Sequence, residues 1–287
     1  MPVWSTSGFA NNIEPRKCMF GRSVPENGGS MINRLSVLPA PLRWRAVHLE
    51  QRLRVKRLRH RTPVPELAGI KIPVMSDLTD NICVAIYDGH YESAELHTFQ
   101  SMLDEDDVVL EVGAGIGFLS SYCARAIGSE KVHTYEANPK LEVLIRKVYA
   151  ANQVGPTLKI GVLGQETGTA QFFITHDFWA SSLLPPAEPS EQVTVPVYDV
   201  NEEIRRITPT FLLMDIEGGE YELIKALDFH TIRKISVEMH TDVLGQARVD
   251  ESKAIMRNAG FEVNSQLSRV IPGVKEVLFL ERRERNR

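Results

Sequence analysis

Glu111-Val112-Gly113-Ala114-Gly115-Ile116-Gly117 joins a short apolar run, 107–113, to a helical pattern, 118–128. Glycines at such a junction let a ligand approach backbone where side chains would collide. In open α/β sheets ligands bind at this place, beyond the carboxyl end of a strand. A dinucleotide fingerprint would carry its third glycine three residues after the second. Here the spacing is GxGxG, and Glu111 stands two positions before the first glycine. A pyrophosphate calls for amides and a helix N-terminus. An acidic lead-in suits a ligand without phosphate that carries a cationic amino group. Glu136 closes the next apolar run, 131–137. A carboxylate there can accept both hydroxyl hydrogens of a ribose, a need shared by NAD and S-adenosylmethionine.

Two further pairs could do acid–base chemistry. Asp215 and Glu217 end the apolar run 211–219, and alternation along a strand would put them on one face. Two carboxylates so close are costly in a dry core without partners, so a cleft is their natural home. Glu238 and His240 are spaced the same way at the end of the run 234–240. Histidine titrates near neutral pH. His240 is the residue expected to deprotonate an acceptor, with Asp215 and Glu217 beside it and Glu238 orienting substrate. Glu220 sits near a helix start, where a carboxylate is favoured in any case. Carboxylates with one histidine can ligate a divalent cation, but no compact metal-ligand spacing exists, and no metal is expected.

The elements that must hold these residues alternate. Apolar runs at 67–74, 81–89, 107–113, 131–137, 158–164, 170–176, 192–199, 211–219 and 234–240 read as strands. Helical periods occupy 91–103, 118–128, 139–153, 220–227 and the stretch ending at Gly260. A closing hairpin turns at Pro272-Gly273. Such alternation means βαβ units: an α/β fold with a mostly parallel sheet, helices on both faces and an antiparallel strand at the end. The stretch 173–184 interrupts the rhythm. Its His176, Trp179, Ser181 and Ser182 suit a lid or acceptor wall.

EVGAGIG followed by YEANP resembles the first two motifs of class I S-adenosylmethionine-dependent methyltransferases. Tyr91-Glu92 upstream, Asp215-Ile216-Glu217-Gly218-Gly219-Glu220 and Glu238-Met239-His240 narrow the resemblance to the FkbM family, over roughly residues 90–280. That family usually has Asp where Glu111 stands, and often Asn in the glycine loop. The resemblance implies a Rossmann-like, seven-stranded sheet, S-adenosylmethionine as cofactor, and O-methylation of small molecules such as sugars, polyketides or other natural products. Glu111, Gly113, Ala114, Gly115 and Asp215 would line the methionine end, with Tyr91 and Glu92 closing over it. Glu136 and Ala137 would hold the ribose, and Leu163 and Gly164 would border the adenine. N- or carboxyl methylation, a nicotinamide-dependent reaction and a non-catalytic cofactor-binding scaffold remain the alternatives, the nicotinamide one disfavoured by the loop spacing.

The 287 residues carry a net charge of −4 that hides an asymmetry. Residues 1–66 hold 12 Lys+Arg against 4 Asp+Glu, and residues 67–287 hold 21 against 33. The division expected is a basic extension, 1–66, with an unstructured start (1–31) and a helix, followed by one cofactor-binding domain, 67–287. Met31 is a second candidate start. In the helix, Leu42, Ala46, Leu49 and Leu53 recur at helical spacing among arginines. It suits packing on the main domain, an anionic surface or a second copy of the chain. The acidic body argues against a nucleic-acid groove, and the partner expected is a small-molecule acceptor. No apolar stretch approaches a membrane span, and no secretory layout opens the chain. Three scattered cysteines suit a reducing compartment, with cytoplasmic location the simplest reading.

Overall fold

Alternation along the central strands sorts the core into two layers. In a computed structural model, which describes residues 40–178, 181–183 and 189–283 (of 40–48 the backbone alone), strand β3 is Val109–Val112 and β9 is Phe211–Met214. Val109, Phe211 and Leu213 face one core cluster, while Leu110, Val112, Leu212 and Met214 face the other. The first cluster is closed by helices α2 (Asp80–Tyr87), α3 (Ser93–Met102) and α4 (Phe118–Ile127), the second by α6 (Val200–Ile207), α7 (Glu220–Ala226) and α9 (Gln246–Asn258). A sheet buried on both faces reads as near-continuous apolar runs; all four residues of β3 and of β9 are buried, and Glu111 is the one acid among them.

The large sheet runs β5 (Thr157–Ile160), β4 (Val132–Glu136), β3, β9, β10 (Lys234–Met239), β13 (Lys275–Arg282), β11 (Phe261–Val263), with β12 (Arg269–Ile271) also paired to β13. Pairs from β5 to β10 are parallel and those made by β13 are antiparallel. This is the Rossmann-like α/β architecture, with one strand more than the seven expected. A second sheet of three strands orders β6 (Val162–Gly164), β8 (Glu191–Asp199) and β7 (Gly168–Ile174), and β1 (Glu66–Leu67) pairs with β2 (Ile70–Lys71) in a separate two-stranded ribbon.

Three sequence expectations change. The run 81–89 is helix, not strand: Ile82, Cys83 and Ile86 are buried on one side of α2, and a short apolar run cannot by itself separate the two periods. The run 158–164 breaks at Gly161, whose φ is +146° and whose absent Cβ would lie 2.6 Å from the Pro196 carbonyl oxygen. The chain thereby leaves the large sheet after β5 and enters the second sheet as β6.

The third change concerns the basic segment. The chain divides into units 1–50 and 51–287, and α1 (Ala40–Arg61) runs across that division. In its second half Val55 is fully buried while Leu53 is exposed, as is Leu49. Of the stripe expected to pack, Leu49 and Leu53 are therefore exposed, while the side chains of Leu42 and Ala46 lie outside the described residues. Gln51 donates to Asn81 Oδ1 (2.9 Å) and Arg59 to the Leu78 carbonyl (2.6 Å). The segment 1–31 lies outside the described residues. No helix among the described residues is long and apolar enough to cross a membrane.

Candidate active site

β3 lies between β4 and β9, so the connection order reverses at its edge, and a crevice opens beyond the carboxyl ends at such a switch point. The chemistry-bearing residues arrive there from four strands: Glu136 from β4, the glycine loop from β3, Asp215 and Glu217 from the turn after β9, and Glu238 and His240 from the end of β10.

On one side stands the glycine loop. The Gly113 amide donates to the Tyr135 carbonyl (2.9 Å), and a Cβ on Gly113 would lie 1.9 Å from the Asp215 carbonyl oxygen. The first glycine is thus required by protein backbone. Gly115 (φ +54°) is required by side chains: its Cβ would meet Tyr91 Oη at 2.8 Å and Glu92 Oε1 at 3.2 Å. Glu136 accepts hydrogen bonds from the amides of Asn138 (2.7 Å) and Gly115 (3.0 Å). Glu111 accepts one from the Thr134 hydroxyl. Burial pushes the Glu111 carboxyl up to about 7, against hydrogen bonds from Thr134 and Ser120. Burial likewise pushes Glu136 to about 7, against the pull of backbone amides. Neither acid has a Lys or Arg partner among the described ion pairs. Two buried carboxylates without a cation, beside a bare backbone loop, fit a ligand that brings its own positive charge and hydroxyl donors. S-adenosylmethionine brings both.

On the other side His240 is ringed by acids. Its Nδ1 lies 2.7 Å from Glu220 Oε1, and Glu220 is fully buried. Its Nε2 lies 3.1 Å from Glu238 Oε1, 3.3 Å from Glu217 Oε2 and 3.8 Å from Asp215 Oδ1. Burial alone would lower the His240 pKa, but hydrogen bonds to Glu217, Glu220 and Glu238 raise it well above the ordinary value. Burial, with the Glu238 charge, raises Asp215 well above the carboxylate range. Lys275 donates to Glu238 Oε1 at 2.6 Å. Burial would raise Glu238, but His240 and Lys275 hold it below its usual value. Glu92 and Glu217 have left-handed backbone, with φ of 47° and 53°. Non-glycine residues there store strain and concentrate at functional sites.

Set against the sequence expectations, Asp215 and Glu217 converge on His240, but not through strand alternation: β9 ends at Met214, and both lie in the following turn. His240 is likewise one residue beyond β10, at the start of α8 (Thr241–Leu244). With both ring nitrogens engaged by acids, it has no nitrogen free to accept a further proton, which tells against it as the base. Leu163 is buried in the second core cluster and Gly164 pairs with Asp199 in the small sheet. Ala114 is buried against α5 (Glu142–Asn152), and Ala137 packs on the small sheet. The Tyr91 ring packs edge-on to Phe118 (centroids 6.0 Å apart).

Within 173–184, Ser181 Oγ accepts from the Thr175 amide (3.1 Å) and closes a turn. Ser182 Oγ donates to the Glu217 carbonyl (3.0 Å), so it holds the acidic turn. His176 is exposed, and Trp179 lies outside the described residues. The residue that reaches the glycine loop is Phe178, whose ring edge lies 3.7 Å from the place of a Gly115 Cβ.

Sequence reading missed Glu95 and Lys275. Glu95 is 6% exposed, and its charge acts on the Glu238 and His240 group. Its spacing from Glu92, one helical turn, was the available signal. Lys275 had none, because it arrives through the antiparallel pairing of β13 with β10.

The methyltransferase FkbM domain model matches residues 111–263, more than half of the chain. The chain belongs to this family of S-adenosylmethionine-dependent methyltransferases. Among solved structures it is similar to a putative RNA methyltransferase from Pyrococcus horikoshii, at 13% identity over 69% of this chain and 85% of that one, TM-score 0.42. A precorrin-6y C5,15-methyltransferase from Geobacter metallireducens matches at 15% identity over 67% and 88%, TM-score 0.40. A ribosomal protein L11 methylase from Lactobacillus delbrueckii subsp. bulgaricus matches at 13% identity over 68% and 80%, TM-score 0.39. No curated protein matches the chain.

Proposed function

We propose that this methyltransferase transfers its methyl group to a hydroxyl oxygen of a small molecule, in a reducing, cytoplasmic setting. The observation that carries the reading is the acid-ringed His240, which stands at the same sheet edge as the glycine loop, the Asp215 backbone lying against Gly113. S-adenosylmethionine supplies the methyl group as a sulfonium. Glu111, Gly113, Gly115 and Tyr91 line its methionine end, and Glu136 holds the ribose.

The acceptor oxygen gains the methyl carbon, the sulfur keeps the S–C electron pair, and the hydroxyl proton must leave. Glu217 is proposed to take that proton. Its side chain is 30% exposed and its Oε2 stands at the Nε2 edge of His240. His240, held by Glu220, and Asp215 orient the acceptor, with Glu238 beside them. Holding two reactants in line contributes most of such an acceleration, and a positioned base adds about 10²–10⁴-fold. Glu238, held in its charged form by His240 and Lys275, would repel a phosphate backbone at this site, which favours a small acceptor over a nucleic acid. Buried Cys83 and Cys123, both free, suit a reducing compartment.

The test offers S-adenosylmethionine labelled on the methyl carbon together with hydroxylated small molecules, RNA or protein. Label in an alkali-stable ether of the small molecules is expected. Label in RNA or protein alone, or in a base-labile ester, would overturn the acceptor assignment.

A further inference from the structure

We propose that Asp215, Glu238 and His240 form a binding site for one divalent first-row cation. Their ligand atoms all lie within 4.8 Å of one another. Individually, His240 Nε2 stands 3.1 Å from Glu238 Oε1 and 3.8 Å from Asp215 Oδ1. Ligands on bonds of about 2.0–2.2 Å stand about 3.0–3.5 Å apart when adjacent, and about 4.2 Å apart when opposite in an octahedron. The three atoms are therefore near coordination spacing before any ion arrives.

The surroundings fit a metal-bound imidazole. Glu220 is fully buried and accepts from His240 Nδ1 at 2.7 Å. That bond fixes the ring orientation with Nδ1 as donor, the usual support for a metal-ligating histidine, so that an arriving ion displaces the Nε2 proton and takes that nitrogen. Three carboxylate oxygens, from Asp215, Glu217 and Glu238, then face one nitrogen. A single proton on Nε2 can satisfy only one of them. Asp215 Oδ1 has no hydrogen-bond partner.

A second observation is independent of that ring. Glu95, on α3, is only 6% exposed, and its Oε1 is also without a partner. Its charge acts on Glu238, Lys275 and His240. Lys275 is the one lysine or arginine that pairs with this acid group among the described residues. A divalent cation would supply the missing positive charge. One imidazole with two carboxylates suits manganese or a neighbouring first-row ion, and leaves positions open. That an open position would receive the acceptor oxygen rests on the O-methyltransferase reading; the site itself does not.

The experiment strips the full chain with EDTA and titrates it with MnCl2 alone, following free Mn2+ by its paramagnetic resonance signal. One bound Mn2+ per chain is expected, with at least tenfold weaker binding in Asp215→Asn and in Glu238→Gln. The fold of each variant is verified by its melting temperature, and Mn2+ uptake is expressed per folded chain. On the wild-type protein, bound Mn2+ should also show spin-echo modulation from an imidazole nitrogen, a readout that needs no variant. Uptake no greater than that of the Asp215→Asn/Glu238→Gln double variant would overturn the site, as would bound Mn2+ without nitrogen modulation. Because neither cofactor nor acceptor is present, absence of methyl transfer to small molecules would refute the functional reading and leave this result standing.

Discussion

The two ends of β10 both carry buried charge, and they handle it in opposite ways. At the start of the strand, Lys234 Nζ donates to Asp107 (2.7 Å), Asp104 (2.5 Å) and the Met102 carbonyl (2.7 Å). The buried Asp107 also accepts from Thr210, Arg233 and the Asp104 amide. Burial works against it, but these partners hold its carboxyl below the usual range. At the end of the strand, Glu238 and His240 stand among acids that the chain does not neutralise, and oxygens on Asp215, Glu220 and Glu95 lack partners. A buried charge whose partners all come from the chain braces the fold. One left short of partners is waiting for something from outside, which is why perturbed groups gather at functional sites.

That contrast can be broken most forcefully at the satisfied end. Asp107→Asn would leave Lys234 with only the exposed Asp104 as charged partner, and breaking a buried pair costs up to about 3–5 kcal/mol. Chemical denaturation should show that loss, with turnover per folded molecule unchanged. The sign with pH follows from the lowered Asp107 pKa. Its contribution is present above the ordinary carboxylate range and is lost as pH falls through the depressed folded value. A small change in stability would mean that the network at the strand start is decorative.

At the other end the order of effects reverses. Glu217→Gln should lower kcat by about 10²–10⁴-fold, while the melting temperature and S-adenosylhomocysteine affinity stay near wild type. Wild-type turnover would remove Glu217 as the proton acceptor.

The cofactor side lies between these extremes. Glu136→Gln removes a charged acceptor of hydrogen bonds, worth about 1.5–3 kcal/mol, or roughly 10–100-fold in affinity by calorimetry. Because burial holds Glu136 at about 7, ligand hydroxyls must bind the ionised form. Affinity should therefore rise with pH up to about 7 and then level, and the variant should lose most of that slope. The stability of the free protein should move the other way. Acids whose folded pKa is raised bind more protons folded than unfolded, so stability falls from the ordinary carboxylate range up to about 7.

The smallest effect expected is that of Ser182→Ala, which gives up the bond to the Glu217 carbonyl. It should cost about 0.5–1.5 kcal/mol in unfolding free energy and lower turnover more than cofactor affinity. An equal loss in both would place Ser182 with the general scaffold rather than with the acidic turn.

The glycine loop and Glu136 were legible because they are local. A strand, a tight loop, a helix and a strand-end acid recur at fixed separations, so spacing alone marks the ligand-facing edge. The order of elements was legible for the same reason, since β3, α4, β4 and α5 each announce their own period. Where local signals were ambiguous, reading failed. The run 81–89 is too short to separate helix from strand, and Gly161 redirects a run that looks continuous.

The sequence by itself determined the α/β order, the acid-led glycine loop, the strand-end acid Glu136 and the set of acids and histidine at the ends of β9 and β10. Only the tertiary structure decided what those groups do to one another. Glu220 grips His240 from a helix start, Lys275 reaches Glu238 across an antiparallel pairing, and Glu95 closes in from α3. Gly113 proves necessary because the Asp215 backbone fills the space of its side chain. The reason is physical. Element type follows from nearest neighbours along the chain, whereas the protonation and pairing of a buried group depend on every charge packed around it.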